Sequence, residues 1–180
     1  ETGKDTGVQA AKMMELRQKA TEELLVLLEE AGEAAKLNKN EAGLPDDEFK
    51  EMRKRMMCTS APTYLLGVAS AWKRFREFSY SQNTSPYPPV LGVVVGYALA
   101  LMGAGCGPTV IPSARNAISW ITLKFRMEDY GISNCQYLKS IEKDVKDVEV
   151  KERRQSPAWP IELIELMETA ITSGFATPMK

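Results

Sequence analysis

The sequence predicts an all-α chain: four to five packed helices preceded by one long amphipathic helix. Apolar residues recur at spacings of three and four along several stretches, the signature of a helical face. No stretch sustains the period-two alternation of a strand. Glycine and proline clusters fall between the periodic stretches, where helices are expected to stop. At 180 residues, with 44% hydrophobic and 26% charged residues, the composition is that of a globular chain. The length suits one domain, or a small domain with arms.

The first periodic stretch, Val8 to Leu37, places Met13, Leu16, Ala20, Leu24, Leu27, Ala31 and Ala34 on one stripe, with Glu22, Glu23, Glu29, Glu30 and Glu33 mostly off it. Leu25, Val26 and Leu28 widen that apolar face, which favours packing onto a domain over pairing along a narrow seam. Asn38–Asp47 reads as a linker, with Gly43 and Pro45 as breakers. Asp46 or Asp47 is placed to cap a basic helix reaching Met57. Ser60-Ala61-Pro62 opens the next helix, with Pro62 in the first turn, where a missing N–H costs nothing. That helix is expected to reach Phe78, with Leu65, Leu66, Ala69, Trp72, Phe75 and Phe78 inward and Lys73, Arg74 and Arg76 on the outer surface. A polar loop and the stiff Tyr87-Pro88-Pro89 lead into a helix from Pro89 to Met102, closed by Gly103–Gly107. Pro108 to Met127 is expected as one helix facing inward through Val110, Ile111, Ala114, Ala117, Ile118, Ile121 and Phe125. Tyr137–Val150 forms another, followed by a charged connector to Pro157 and a last helix at Ile161–Thr172.

Chemistry is narrowed most by the absence of histidine. A Ser-His-Asp triad, a Cys-His pair and His-ligated zinc or haem are all excluded. Three widely spaced cysteines, Cys58, Cys106 and Cys135, fit reduced thiols in an intracellular protein better than a disulfide framework. The opening Glu1-Thr2-Gly3 lacks an initiator Met, and the chain stops just after an apolar helical pattern. Residues 1–6 are accordingly expected to be dispensable and the chain to be a piece of something longer.

A net charge of −1 conceals a dipolar layout. Residues 1–48 carry 6 basic and 12 acidic side chains, whereas residues 49–76 carry 7 basic and 1 acidic. Phe78 to Ala114 holds no charge at all. Its apolar core, Val90–Cys106, is shorter than the ~20 residues that cross a bilayer and is eroded by glycines. A buried helix is therefore expected there, not a membrane span.

These signals, in this order, resemble the N-terminal core-binding domain of tyrosine recombinases and phage integrases. Ser60-x-x-Thr63 with Ala71-Trp72-Lys73-Arg74-Phe75-x-x-Phe78 resembles the family's first helix. Pro88-Pro89 followed by Val95-x-Tyr97-x-x-x-Leu101 resembles its second. Gly105-x-x-Pro108-Thr109 with Ser113-Ala114-x-x-Ala117-Ile118 resembles its third. Val150 to Pro160 resembles the basic tether that leads into the catalytic domain. The match covers about residues 58–172. It implies a SAM-like orthogonal bundle, placed with the basic segment before it over 49–152, and a tether with the first helix of a truncated catalytic domain over 153–180; the N-terminal arm and linker over 1–48 and the basic Phe49–Met57 segment lie outside the family pattern.

The resemblance implies a module that clamps double-stranded DNA for recombination or integration, in the nucleus or on the nucleoid. It implies no catalysis by this chain, because the family's His-containing box and late Tyr nucleophile are missing; the parent protein would supply strand transfer. Candidate DNA contacts are short polar groups in first helical turns, Thr63, Thr109 and Ser113, where free N–H groups also favour phosphate. The candidate cations are Lys73, Arg74, Arg76 and Arg115, with Arg153 and Arg154 in the tether. On a helix in the major groove, Asn116 would read an adenine edge and Arg115 a guanine. Lys124 and Arg126 read better as solvated surface. No cofactor or metal is expected. A competing class is a helical assembly module, in which residues 8–37 mediate self-association or bind a partner helix. An enzyme built on Glu22, Glu29 and Glu33, or on Asp46, Asp47 and Glu48, is a weaker alternative for want of histidine ligands.

Overall fold

The structure is a computed structural model and describes residues 3–154. Every regular element among the described residues is helical. Six α-helices follow in order: α1 (Gly3–Ala31), α2 (Asp46–Met57), α3 (Pro62–Ser81), α4 (Leu91–Gly103), α5 (Val110–Lys124) and α6 (Gln136–Arg154). Single 3-10 turns occupy Gly32–Ala34, Lys36–Asn38 and Ile132–Asn134. No helix among the described residues is long and apolar enough to cross a membrane. The sequence-predicted helix at Ile161–Thr172 lies outside the described residues.

One hydrophobic core serves all of these elements. The centre is α3, whose Leu65, Val68, Ala69, Trp72 and Phe75 are buried at its contacts with α1 and α5. The face of α5 turned inward, Ile111, Ala114, Ala117, Ile118 and Ile121, follows its periodicity, but Val110, expected with them, is 39% exposed. The second half of α1 inserts Ala20, Leu24, Leu27 and Leu28 into the same core. Its first half does not: Met13 and Met14 are 46% and 73% exposed.

Trp72 anchors an aromatic chain across three elements. It packs on Phe75 and on Tyr87 of the loop before α4, while Phe75 and Phe78 meet Tyr97 of α4. Each pair adds roughly 0.5–1.5 kcal/mol beyond area burial. The buried hydroxyls of Thr21, Ser79 and Thr122 return to the carbonyl one turn earlier, on Arg17, Phe75 and Ile118, so their helices satisfy them internally. Thr21 also meets the thiol of Cys58 at 2.9 Å, which joins α1 to the end of α2.

Helix ends depart from the expected boundaries for identifiable reasons. The helix expected to run to Leu37 stops at Ala31, because Gly32 turns left-handed at φ +52°. Asn38 then caps the carbonyls of Leu28 and Gly32 at 2.7 and 2.9 Å and accepts a bond from Arg53 of α2. Neither Asp46 nor Asp47 caps α2; Pro45 holds the cap position, and the acids sit in the first turn, where the helix dipole favours them. The stretch 151–154, expected as part of a connector, continues α6.

Helices α3, α4 and α5 close with one motif. The residue two past the helix is left-handed, its N–H bonds a carbonyl three residues back, and the next N–H bonds one five back. The left-handed residues are Asn83, Gly105 and Arg126. Glycine and asparagine are the usual occupants, because a side chain there crowds the backbone. Arginine is the unusual one, and it ends α5 at Lys124 rather than at the expected Met127.

Candidate nucleic-acid interface

With one flank of α5 in the core, the opposite flank faces solvent. Thr109, Ser113 and Asn116, at positions i, i+4 and i+7, form an exposed polar stripe there. None of the three side chains makes a hydrogen bond among the described residues. Thr109 occupies the cap position of α5 without bonding the backbone through its hydroxyl. Thr63 is likewise exposed in the first turn of α3, whose cap residue is Ala61. The end of α5 lies beside the start of α3, where Lys124 donates to the Thr59 hydroxyl at 2.9 Å and covers the Trp120 ring.

The cations divide differently from the sequence expectation. Lys73 and Arg76 do not point to an open outer surface; they face α1, where Lys73 pairs with Glu23 at 2.9 Å and Arg76 with Glu30 at 2.6 Å. The acidic face of α1 thereby neutralises part of the basic block that follows it in sequence. Arg115 faces the other way, toward α6, bonding Glu142 at 2.6 Å and the Ser133 carbonyl at 3.1 Å. Arg74 is exposed and makes no ion pair among the described residues. Arg153 and Arg154 lie on the last turn of α6.

Glu30 is the hub of a second network. It accepts from Arg76 and, at 3.2 Å, from the hydroxyl of Tyr87, which itself accepts from Trp72 Nε1 at 3.1 Å. Burial raises the Tyr87 phenol well above its ordinary value; the Trp72 bond lowers it, and the charge of Glu30 raises it further. The bond to Glu30 raises Arg76, working against its desolvation. This network is structural: it locks the α3–α4 loop and α1 onto the buried Trp72.

Beyond Asn116 the polar stripe runs into a cleft of about 640 Å³ along the second half of α5. Arg115, Asn116, Ser119, Trp120 and Arg126 line it from α5 and its closing turn, Tyr64 from α3 and Lys36 from the second 3-10 turn. Arg115 and Asn116 are the two expected contacts brought together here. Lys36, Tyr64, Ser119 and Arg126 were missed. Lys36 and Arg126 carried a signal, their charge, and that of Arg126 read as ordinary surface. No group of three His, Cys, Asp or Glu side chains that could hold a metal ion occurs among the described residues. Compared with family models, curated proteins and solved structures, the chain matches none.

Proposed function

We propose that the chain is the DNA-binding module of a tyrosine recombinase- or integrase-like protein, laid along duplex DNA through the outer flank of α5. The bundle α3–α6 is read as its SAM-like core-binding domain, working at the nucleus or nucleoid and leaving strand transfer to catalytic residues of a parent protein. The observation that carries the reading is the exposed stripe Thr109–Ser113–Asn116, three short polar side chains on the flank of α5 opposite its buried face. Short hydroxyl and amide groups let a duplex approach a helix closely and bond its phosphates. Arg74 and Thr63 extend the contact from α3. Lys73, Arg76 and Arg115 act instead as internal struts, and Asn116 takes over as the base-edge reader.

Fluorescence anisotropy of a labelled duplex at low salt tests this. Titration with the chain is expected to saturate, and Ser113→Glu or Arg74→Glu to weaken binding at least several-fold while thermal melting is unchanged. Charge reversal at Lys73 or Arg115 would break ion pairs of the fold and is not a clean probe. Unaltered titrations for both surface variants would remove the duplex from this flank.

One observation favours a second reading, that of an assembly module. The first half of α1 leaves Val8, Met13 and Met14 exposed at 70%, 46% and 73%. A self-associating or partner-binding helix would bury them.

A further inference from the structure

We infer that the cleft beside α5 is a binding site for a single nucleotide unit, a phosphate ester carrying a planar base. The inference stands on observations separate from the duplex reading.

Arg115 is a prepared anion receptor. Its Nε and Nη2 bond the Glu142 carboxylate and its Nη1 bonds the Ser133 carbonyl, which fixes the guanidinium plane. A guanidinium has five N–H donors, so one on each terminal nitrogen remains for a ligand, the fork that matches two phosphate oxygens. Arg126 and Lys36 add two exposed cations on the same lining, against a single acid, Asp129. Arg126 occupies the left-handed closing position at φ +53°, where α4 uses Gly105. An unfavourable backbone placement that keeps a cation on a cleft points to use of that side chain.

Two more groups narrow the ligand. The Ser119 hydroxyl, one turn after Arg115, is buried without a hydrogen-bond partner, although Thr122 next to it bonds back to its own helix. A ligand acceptor reached by a simple rotation of that hydroxyl would satisfy it. Tyr64 and Trp120 supply aromatic surface on opposite helices, which a bare phosphate would not use and a nucleobase would. The volume falls within the range of small-ligand sites.

Calorimetric titration of the full chain with adenosine 5′-monophosphate, adenosine and inorganic phosphate tests the assignment. The monophosphate is expected to bind saturably, with adenosine and phosphate each weaker by about tenfold or more. Arg126→Gly is expected to keep or raise the melting temperature and to weaken the monophosphate about tenfold. Trp120→Leu is expected to reduce its affinity to that of phosphate alone. Equal affinity for phosphate and monophosphate, no saturable binding, or full affinity in Arg126→Gly would each overturn the site. A 5′-phosphorylated single strand, run in parallel, distinguishes a strand end from a free nucleotide as the source. Ser113→Glu, outside the cleft, is expected to leave monophosphate binding intact whichever way the duplex experiment falls.

Discussion

Tyr87 is at once a core aromatic and the link between a buried indole and a charged pair. Its phenol is neutral in both folded and unfolded chains below the ordinary tyrosine value of 10.0. Above that pH the unfolded chain ionises first, so the contribution of Tyr87 to stability is constant through neutrality and falls as pH rises past about 10. Tyr97, raised by burial as well, shares in that loss. Tyr87→Phe is therefore expected to shallow the alkaline slope without abolishing it. At neutral pH it should cost about 1–2 kcal/mol, since Trp72 Nε1 then lies buried without an acceptor. Urea melts of both proteins at neutral and alkaline pH measure the two effects, and identical alkaline slopes would refute the role given to Tyr87. Arg126 shows the reverse case, a residue the fold would exchange for glycine with a gain of about 1 kcal/mol.

Helix α1 is two elements in energetic terms. From Ala20 onward it is core, buried against α3 and tied by Glu23 and Glu30 to Lys73 and Arg76. Before that it is mostly solvated, with Val8, Met13 and Met14 exposed and Leu16 half-buried. Deleting residues 1–19 is expected to leave a folded chain with nearly unchanged stability, whereas deleting residues 1–34 should prevent folding, because Leu24, Leu27 and Leu28 leave together. Sedimentation of the shorter deletion decides the assembly reading: lost self-association or partner binding supports it, and an unchanged mass distribution refutes it. Periodicity located α1, α3, α4 and α5 because each buries a stripe with a 3.6-residue repeat. It misjudged their ends where a left-handed residue intervenes. Gly32 was a readable signal for the end of α1, but an arginine at position 126 disguises the same event in α5.

Across the molecule, the missing information was which charges meet. The acidic surplus of residues 1–48 and the basic surplus of residues 49–76 were plain in the sequence, but Glu23–Lys73 and Glu30–Arg76 span 50 and 46 residues. No local pattern encodes such pairings; only the docking of α1 on α3 makes them. Likewise, Arg115 read as a base contact until α6 brought Glu142 to it. Few cations flank the α5 surface, chiefly the exposed Lys36 and Arg126 and the half-buried Lys124. The salt dependence of duplex binding is accordingly expected to be shallow, with a log–log slope of roughly two to three at about 0.9 per phosphate. A slope near that of proteins making six to ten phosphate contacts would mean that the duplex lies on another face.

The contact between Thr21 and Cys58 gives the molecule a built-in chemical reporter. An alkylating reagent needs the sulfur bare and ionised, and Cys58 is half-buried at the seam of the two helices with the Thr21 hydroxyl 2.9 Å away. The labelling rate of Cys58, set beside that of the equally half-buried Cys106 in the same tube, is therefore expected to rise when the seam of the first two helices loosens and to slow if a bound partner covers it.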